Sequence, residues 1–259
     1  MRGDEATRSV ALFADTFNRY FEPDNLDATV EVLDRLGYGI EPIEPAGGGR
    51  PVCCGRTFLA AGLVDEARAE ARRLLEAVRP HLDAGRPIVG IEPSCLLTLR
   101  DELTVMGLGE DARRLAGSAV MLEELIVADA KAGRLATPLG QLDGTVHLHT
   151  HCHQKAHGVA GPVEQALRLV GGLAVKPIES GCCGMAGSFG YQAETQNVSM
   201  AMGELALLPA VRKAEPGDLI AADGFSCRHQ IRDGADREAR HVAVILRQAL
   251  ATSKPRSPG

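Results

Sequence analysis

The sequence predicts an α/β protein built from two similar halves, each with a mainly parallel sheet covered by helices. Short apolar runs such as 10–13 alternate with longer stretches of helical spacing such as 64–78, as is typical of parallel sheets. The same order of segments occurs twice along the 259 residues. Aromatic residues make up only 3% and Trp is absent, so Leu, Val, Ile and Ala must form the core. We therefore expect two pseudo-repeated, Rossmann-like halves.

The elements of the first half follow from periodicity and from helix-ending residues. Strands are predicted at 10–13 and 87–91, where apolar residues follow one another without interruption. A helix is predicted at 27–36, with Gly37 placed to end it. A longer helix is predicted at 64–78, ended near Pro80. Another helix is predicted at 119–131, before Gly133.

The second half repeats this alternation. Strands are predicted at 145–149, 173–178 and 218–222, and helices at 162–170, 198–212 and 239–250. We place the first repeat at 8–106, a helical connector at 107–143 and the second repeat at 144–252. The polar, Pro-rich tail 253–259 is expected to be frayed.

Cysteine-bearing segments occupy matching places in the two repeats. In the first half a strand leads to Asp15-Thr16, then come Cys53-Cys54-Gly55 and finally Ser94-Cys95; in the second the counterparts are His151-Cys152, Cys182-Cys183-Gly184 and Ser226-Cys227. Ligands bind at the carboxyl ends of strands in open α/β sheets. The three segments of each half should therefore converge at one edge, with the cysteine loops at the strand C-terminal ends.

The cysteines indicate a metal site rather than disulfides. Seven cysteines without a visible signal peptide suggest a reducing compartment, where clustered thiols are usually ligands or redox groups. The second half offers Cys152, Cys182, Cys183 and Cys227, and four thiolates favour an iron–sulfur cluster, zinc or Cu(I). Gly181 and Gly184 flank the pair and would let the backbone approach an inorganic core.

Histidines cluster next to Cys152. On a strand, His147, His149 and His151 would share one face, so a zinc site made from them stays open. The favoured interpretation is that histidines here, His151 and His153 among them, support the thiolates by hydrogen bonds or line a nearby pocket.

Charge and hydropathy exclude several classes of partner. The net charge is −6 and the pI is about 5.8, which argues against nucleic acid. The longest apolar runs are too short to cross a bilayer. The expected location is the cytoplasm, with membrane attachment only through a partner.

These motifs resemble the cysteine-rich CCG domain over roughly residues 8 to 250. That domain occurs in heterodisulfide reductases, in the iron–sulfur components of glycolate and glycerol-3-phosphate dehydrogenases, and in lactate-utilisation proteins. The likeness is narrower to the C-terminal segment of FAD-linked oxidase/iron–sulfur oxidoreductase fusions. It is carried by the segments Asp15-Thr16-Phe17, Cys53-Cys54-Gly55-Arg56, Glu92-Pro93-Ser94-Cys95, His151-Cys152-His153, Gly181-Cys182-Cys183-Gly184 and Gly224-Phe225-Ser226-Cys227.

The resemblance implies electron transfer from a flavin domain, which oxidises a 2-hydroxy acid, into iron–sulfur centres. This sequence departs from the family's fuller pattern at Thr16, Glu92 and Gly224, where that pattern has cysteines. The second half keeps four cysteines, enough for one [4Fe–4S] cluster but short of the five of the non-cubane type. For Cys53, Cys54 and Cys95 three roles stay open: extra ligands, a second metal, or a thiol site facing substrate.

The leading hypothesis is an oxidoreductase component that accepts electrons from FAD on a partner protein or a further domain. A zinc-stabilised structural or interaction module is the alternative from another class. Direct thiol or disulfide chemistry at the cysteine pairs is a third possibility.

Overall fold

The computed structural model describes residues 8–252. Residues 253–259, expected to be a frayed tail, lie outside the described residues, as do residues 1–7. The chain divides into two compact units, Met1–Thr137 and Pro138–Gly259. Each contains one parallel sheet with helices around it, which confirms the predicted α/β fold class. Within residues 8–252 no helix is both long and apolar enough to cross a membrane.

The first unit has a four-stranded sheet of order β2-β1-β3-β4, in which all neighbours are parallel. Its strands are β1 (Arg8–Leu12), β2 (Tyr38–Pro42), β3 (Ile88–Gly90) and β4 (Ala119–Met121). After β1 the chain adds β2 on one side and then β3 on the other. The strand order therefore reverses between β1 and β3, the place where open α/β sheets bind ligands.

Helices cover this sheet. They are α1 (Thr16–Tyr20), α2 (Pro23–Arg35), α3 (Arg56–Ala60), α4 (Val64–Asp83), α5 (Pro93–Arg100), α6 (Glu102–Val105), α7 (Glu110–Ser118) and α8 (Leu122–Lys131). The predicted end of the long helix near Pro80 is wrong, because α4 continues through Pro80 to Asp83. Pro80 lies in the last turn, and its carbonyl oxygen still accepts a hydrogen bond from the Ala84 amide at 3.2 Å.

The helix predicted at 119–131 begins three residues later than expected. Residues 119–121 form β4 instead, pairing in parallel with Ile88, Val89 and Gly90. Pairing with a buried neighbouring strand decides the conformation of this short apolar segment, as tertiary context often does for strands.

The second unit has a three-stranded parallel sheet of order β6-β5-β7. Its strands are β5 (Gln141–Leu148), β6 (Gly171–Pro177) and β7 (Leu219–Ala221). Its helices are α9 (Cys152–Ala156), α10 (Ala160–Arg168), α11 (Gln196–Glu204), α12 (Leu207–Lys213), α13 (Phe225–Ala235) and α14 (Val242–Ala251). A short 3-10 helix lies at Phe189–Tyr191. The helix predicted at 198–212 is thus two helices. Here the strand order reverses between β5 and β7.

The two units share one plan at the carboxyl ends of their strands. Helix α1 follows β1 as α9 follows β5, and α5 follows β3 as α13 follows β7. Side chains cap both first helices: Asp15 accepts from the Phe17 and Asn18 amides, and His151 accepts from the His153 amide. The repeat seen in the sequence is therefore a repeat of structure.

Candidate metal centre

Three segments of the second unit carry cysteines to the carboxyl edge of its sheet. Cys152 is the first residue of α9, just after β5. Cys227 lies in the first turn of α13, after β7. Cys182 and Cys183 lie in the loop that follows β6. Because β5 is paired with both other strands, these segments meet at the reversal point of the sheet.

The four thiols are neighbours in the order Cys152, Cys182, Cys183, Cys227, and each influences the pKa of the next. The Cys152 and Cys183 thiols lower the pKa of Cys182, and the Cys183 thiol likewise lowers the pKa of Cys227. Hydrogen bonds to these same neighbours, together with burial, raise the pKa of Cys152 and of Cys183. Thiols bind metals as thiolates, so binding a metal here would release protons.

One side of the set is buried in apolar surroundings. Cys183 and Cys227 are 4% and 1% exposed and belong to a core cluster with Ile178, Met185 and Ile231. Cys152 and Cys182 are half-buried. A bound centre would thus have a dry side and a more accessible side, and burial is one factor that tunes a metal's potential.

Glycine is required in the loop at position 184. Gly184 has a φ of +98°, and a Cβ there would lie 2.1 Å from the Ser199 carbonyl oxygen. Its amide donates to the Cys182 sulfur at 3.3 Å. The other flanking glycine, Gly181, has open space around its Cβ position and no positive φ.

His151 holds the start of α9 beside Cys152. Its Nδ1 accepts the His153 amide at 3.1 Å and lies 3.8 Å from the Cys152 sulfur. Burial lowers the pKa of His151, which favours the neutral ring. His153 packs edge-on against that ring, with 5.1 Å between the centroids. Gln154 completes the cap, accepting the His151 amide at 2.8 Å.

The predicted common strand face for His147, His149 and His151 is wrong. Strand β5 ends at Leu148, so only His147 lies within it. The His147 Nε2 bonds to the Asp218 carboxylate at 2.8 Å. His151 already belongs to the helix cap, so the three rings serve different purposes.

The environment of His149 differs from that of the other histidines, and the sequence did not indicate this difference. The side chain is only 1% exposed, and its Nδ1 bonds to the Ser180 hydroxyl at 2.9 Å. Its Nε2 is buried without a hydrogen-bond partner anywhere in residues 8–252. The ring is also close enough to Cys227 to lower that thiol's pKa. A buried nitrogen left unpaired costs about 1–3 kcal/mol, so its position beside the thiols fits a group bound there.

A buried polar network holds the segments in place. Gln154 donates to the Asp223 carboxylate at 2.8 Å, and the Val242 amide donates to the other carboxylate oxygen at 3.2 Å. Arg228 donates to the carbonyls of Ala222 and Asp223 at 2.9 and 2.6 Å. The network links the starts of α9, α13 and α14. It fixes the backbone that carries Cys152 and Cys227.

The first unit holds a similar set with one sulfur fewer. Cys54 is close enough to Cys53 and Cys95 for the three thiols to influence one another's pKa. The Cys53 sulfur accepts from the Thr16 hydroxyl and from the Gly55 amide, each at 3.5 Å. The hydrogen bond to Cys54 and burial raise the pKa of Cys53. The set therefore consists of three thiols and a hydroxyl.

The donors of the second unit fit a soft metal centre. Four thiols brought together at one edge of a sheet are the ligand set of a [4Fe–4S] cluster. The buried His149 nitrogen and the Gly184 amide, which donates to the Cys182 sulfur, are further polar groups close to the sulfurs. Such surrounding groups orient ligands and tune the metal.

Comparison with protein families gives a match to both halves. A family model described as CCG, cysteine-rich domain, matches residues 11–100 and 146–232. Each matched range contains one of the two sets of thiols.

Among characterised proteins, the chain is 29% identical over 245 residues to one of the subunits of the anaerobic glycerol-3-phosphate dehydrogenase of Escherichia coli K12. It is 28% identical to a D-2-hydroxyglutarate dehydrogenase of Pseudomonas putida and 26% identical to lactate utilization protein A of Bacillus licheniformis. These alignments cover 93%, 93% and 92% of this chain. The chain spans 59% of the first relative, 22% of the second and 98% of the third.

Proposed function

Since the chain belongs to the CCG cysteine-rich domain family, we propose that it is an iron–sulfur electron-transfer component of a flavin-linked dehydrogenase for 2-hydroxy acids, or of a related oxidoreductase. The continuous set of four thiols at the edge of the second sheet is the observation that carries the proposal. The relatives support it, because two of them are named as a dehydrogenase or as part of one.

The proposed ligands are Cys152, Cys182, Cys183 and Cys227, and the proposed centre is a [4Fe–4S] cluster. Such a cluster, when bound, supplies one-electron redox chemistry. The chain's own residues hold it and set its surroundings. The Gly184 amide donates a hydrogen bond to the Cys182 sulfur, which favours the more negatively charged, reduced state, and the buried His149 ring lies beside Cys227.

The proposed electron donor is a flavin, FAD, on a partner protein or on another domain of the same polypeptide. Both arrangements agree with the relatives, since one of them has nearly the length of this chain and another is several times longer. The proposed location is the cytoplasm, with membrane attachment through the partner. We propose the repeat boundaries 8–106 and 144–252, with 107–143 as the connection; within that connection β4 adds a strand to the first sheet.

Anaerobic purification tests the proposal. We expect a brown protein with broad visible absorption and with iron and sulfide in stoichiometric amounts. Replacement of Cys182 or Cys227 by Ser should abolish the signal of the second-unit cluster in electron paramagnetic resonance. Cys95→Ser, a buried cysteine of the first unit, is the matched control and should leave that signal in place.

A colourless protein that holds only zinc under the same conditions would exclude the electron-transfer role and favour a structural module. A brown protein whose cluster survives Cys182→Ser would contradict the assigned ligands. Reduction by a flavin-containing dehydrogenase fraction, followed by the loss of the oxidised cluster's absorption, tests the direction of electron flow.

A further inference from the structure

The helices that follow the first strand of each unit, α1 and α9, correspond in position, and both carry a basic side chain at the same place. Arg19 is the fourth residue of α1, and Lys155 is the fourth residue of α9. Lys155 donates its ammonium group to the carbonyl oxygens of Ser180 and Gly181, just before the second cysteine pair. In the second unit this contact ties the cysteine loop to α9.

The loop that leads to the cysteine pair is longer in the first unit. Ile43 and Ile178 mark equivalent points, because their amides donate to the last carbonyl oxygens of β1 and β5 at 3.4 and 2.8 Å. From there residues 44–52 lead to the first cysteine pair, whereas only residues 179–181 lead to the second. The first loop therefore has enough chain to lie further from its helix.

The longer loop is bound to α4. The Arg50 guanidinium pairs with Glu70, and the Arg50 carbonyl oxygen accepts a hydrogen bond from Arg73 at 2.7 Å. Arg73 also pairs with Glu70 at 2.8 Å. Two guanidinium groups thus share one buried carboxylate, so this group of three side chains keeps an excess of positive charge.

Arg19 is left without the contact that Lys155 makes. Its side chain is exposed, and it forms no hydrogen bond and no ion pair with any residue in 8–252. All the hydrogen-bond donors of its guanidinium group are therefore available to a ligand.

A cavity of about 250 Å³ lies where α1 and the longer loop face each other. Thr16, Arg19 and Tyr20 line it from the helix, and Arg50 and Cys53 line it from the loop. Most of the remaining wall is apolar, and none of the described residues that line it is acidic. Sites for drug-sized ligands have about 300–1,000 Å³, so this cavity suits a smaller molecule.

The charge and the wall of the cavity together favour one class of ligand. Arginine binds carboxylates through two parallel hydrogen bonds. An inorganic anion would satisfy the charge but would leave the rings of Tyr20 and Phe58 in contact with water. A carboxylate with a hydrocarbon body covers those rings as well, which adds a hydrophobic gain.

We propose that this cavity binds a small monocarboxylic acid with an apolar body, whose carboxylate Arg19 holds beside Cys53. The site requires no metal in the first unit, and it goes beyond the proposed electron-transfer role. The exchange of a short loop for a long one converts a contact that is closed in the second unit into a ligand site in the first.

Fluorine NMR on the anaerobically purified full chain tests this with 4-fluorobenzoate as the probe. We expect its signal to broaden and shift as protein is added. Isobutyrate, a second small apolar acid, should displace it. The neutral analogue 4-fluorobenzyl alcohol should bind at least tenfold more weakly, because it cannot form the two charged hydrogen bonds to arginine.

Two variants separate the charge from the apolar wall. Arg19→Gln should weaken 4-fluorobenzoate binding roughly tenfold or more, since it removes a charged hydrogen-bond donor. Phe58→Ala should weaken it about threefold or more, since it removes an aromatic wall. Arg113→Gln, an exposed arginine paired with Glu110, is the control and should bind the probe as the wild type does. Circular dichroism checks that each variant is folded.

Unchanged binding of 4-fluorobenzoate in folded Arg19→Gln would overturn the proposal. Equal binding of the neutral alcohol would also overturn it, because the carboxylate would then have no role. Displacement of the probe by inorganic phosphate as effectively as by isobutyrate would show a general anion site and overturn the assigned ligand class. The proposed function is decided separately, by iron and sulfide in the anaerobic protein, so a brown protein that ignores 4-fluorobenzoate refutes only this inference.

Discussion

Replacement of Gly184 by alanine should destabilise the protein at the loop that carries the cysteine pair. A left-handed φ costs a non-glycine residue about 1–2 kcal/mol, and Gly184 has a φ of +98°. The new Cβ would also lie 2.1 Å from the Ser199 carbonyl oxygen, a backbone atom that cannot easily move. The Ser199 carbonyl oxygen accepts a hydrogen bond from Gln230 at 3.0 Å. Loss of this hydrogen bond adds about 1 kcal/mol to the cost of the substitution. The expected cost is about 2–4 kcal/mol in the free energy of unfolding.

Gly181→Ala is the matched control in the same loop. Its Cβ would meet nothing within 4 Å and its φ is not positive, so we expect a change within about 0.5 kcal/mol. Urea denaturation of the reduced, metal-free protein measures both variants, and iron content after anaerobic loading measures the site. Equal stability and equal iron in Gly184→Ala and the wild type would refute the close-approach argument.

Three further predictions concern side chains around the second thiol set. His149→Leu replaces the buried polar ring beside Cys227 by an apolar side chain, which disfavours the more negatively charged, reduced cluster, and should lower the cluster's midpoint potential by roughly 40 mV, the equivalent of about 1 kcal/mol for one electron; an unchanged potential in spectroelectrochemistry would contradict this role of the ring. Asp223→Asn should cost about 1–3 kcal/mol in urea denaturation, because an amide cannot accept both hydrogen bonds that the carboxylate accepts. The hydrogen bond from His147 lowers the pKa of Asp218, so the stability from this pair is present above the ordinary aspartate pKa and is lost as the pH falls through the lowered value. Asp218→Asn should therefore flatten the acid side of the stability profile, and an unchanged slope would exclude this contribution.

Five of the seven strands can be predicted from the sequence, and the two edge strands of the first sheet cannot. Strands β1, β3, β5, β6 and β7 all overlap their predicted ranges. Strand β2, Tyr38–Pro42, has no such signal, because an edge strand needs only one buried flank and here includes Gly39, Glu41 and Pro42. Strand β4, at the other edge, lies where the spacing predicts the start of a helix. The conformation of both segments depends on pairing with a neighbouring strand, which the local sequence does not show.

The histidines show a similar limit. A run of alternating histidines predicts a shared face only if the strand continues, and β5 stops at Leu148. The special position of His149 depends on Ser180 and Cys227, which are distant in sequence and become neighbours through the order of the strands. No local pattern distinguishes it from His147, which pairs with Asp218 instead.

Residue types and their spacing along the chain were enough to predict the fold class, the duplication and the two sets of cysteines, because all three follow from local patterns. The folded chain was needed to show that Gly184 has no room for a side chain and that His149 keeps an unpaired nitrogen. It was needed as well to show that the Thr16 hydroxyl and an arginine-lined cavity meet at Cys53. Each of those features depends on a contact between segments that are distant in the sequence. Such segments become neighbours only once the sheets have formed.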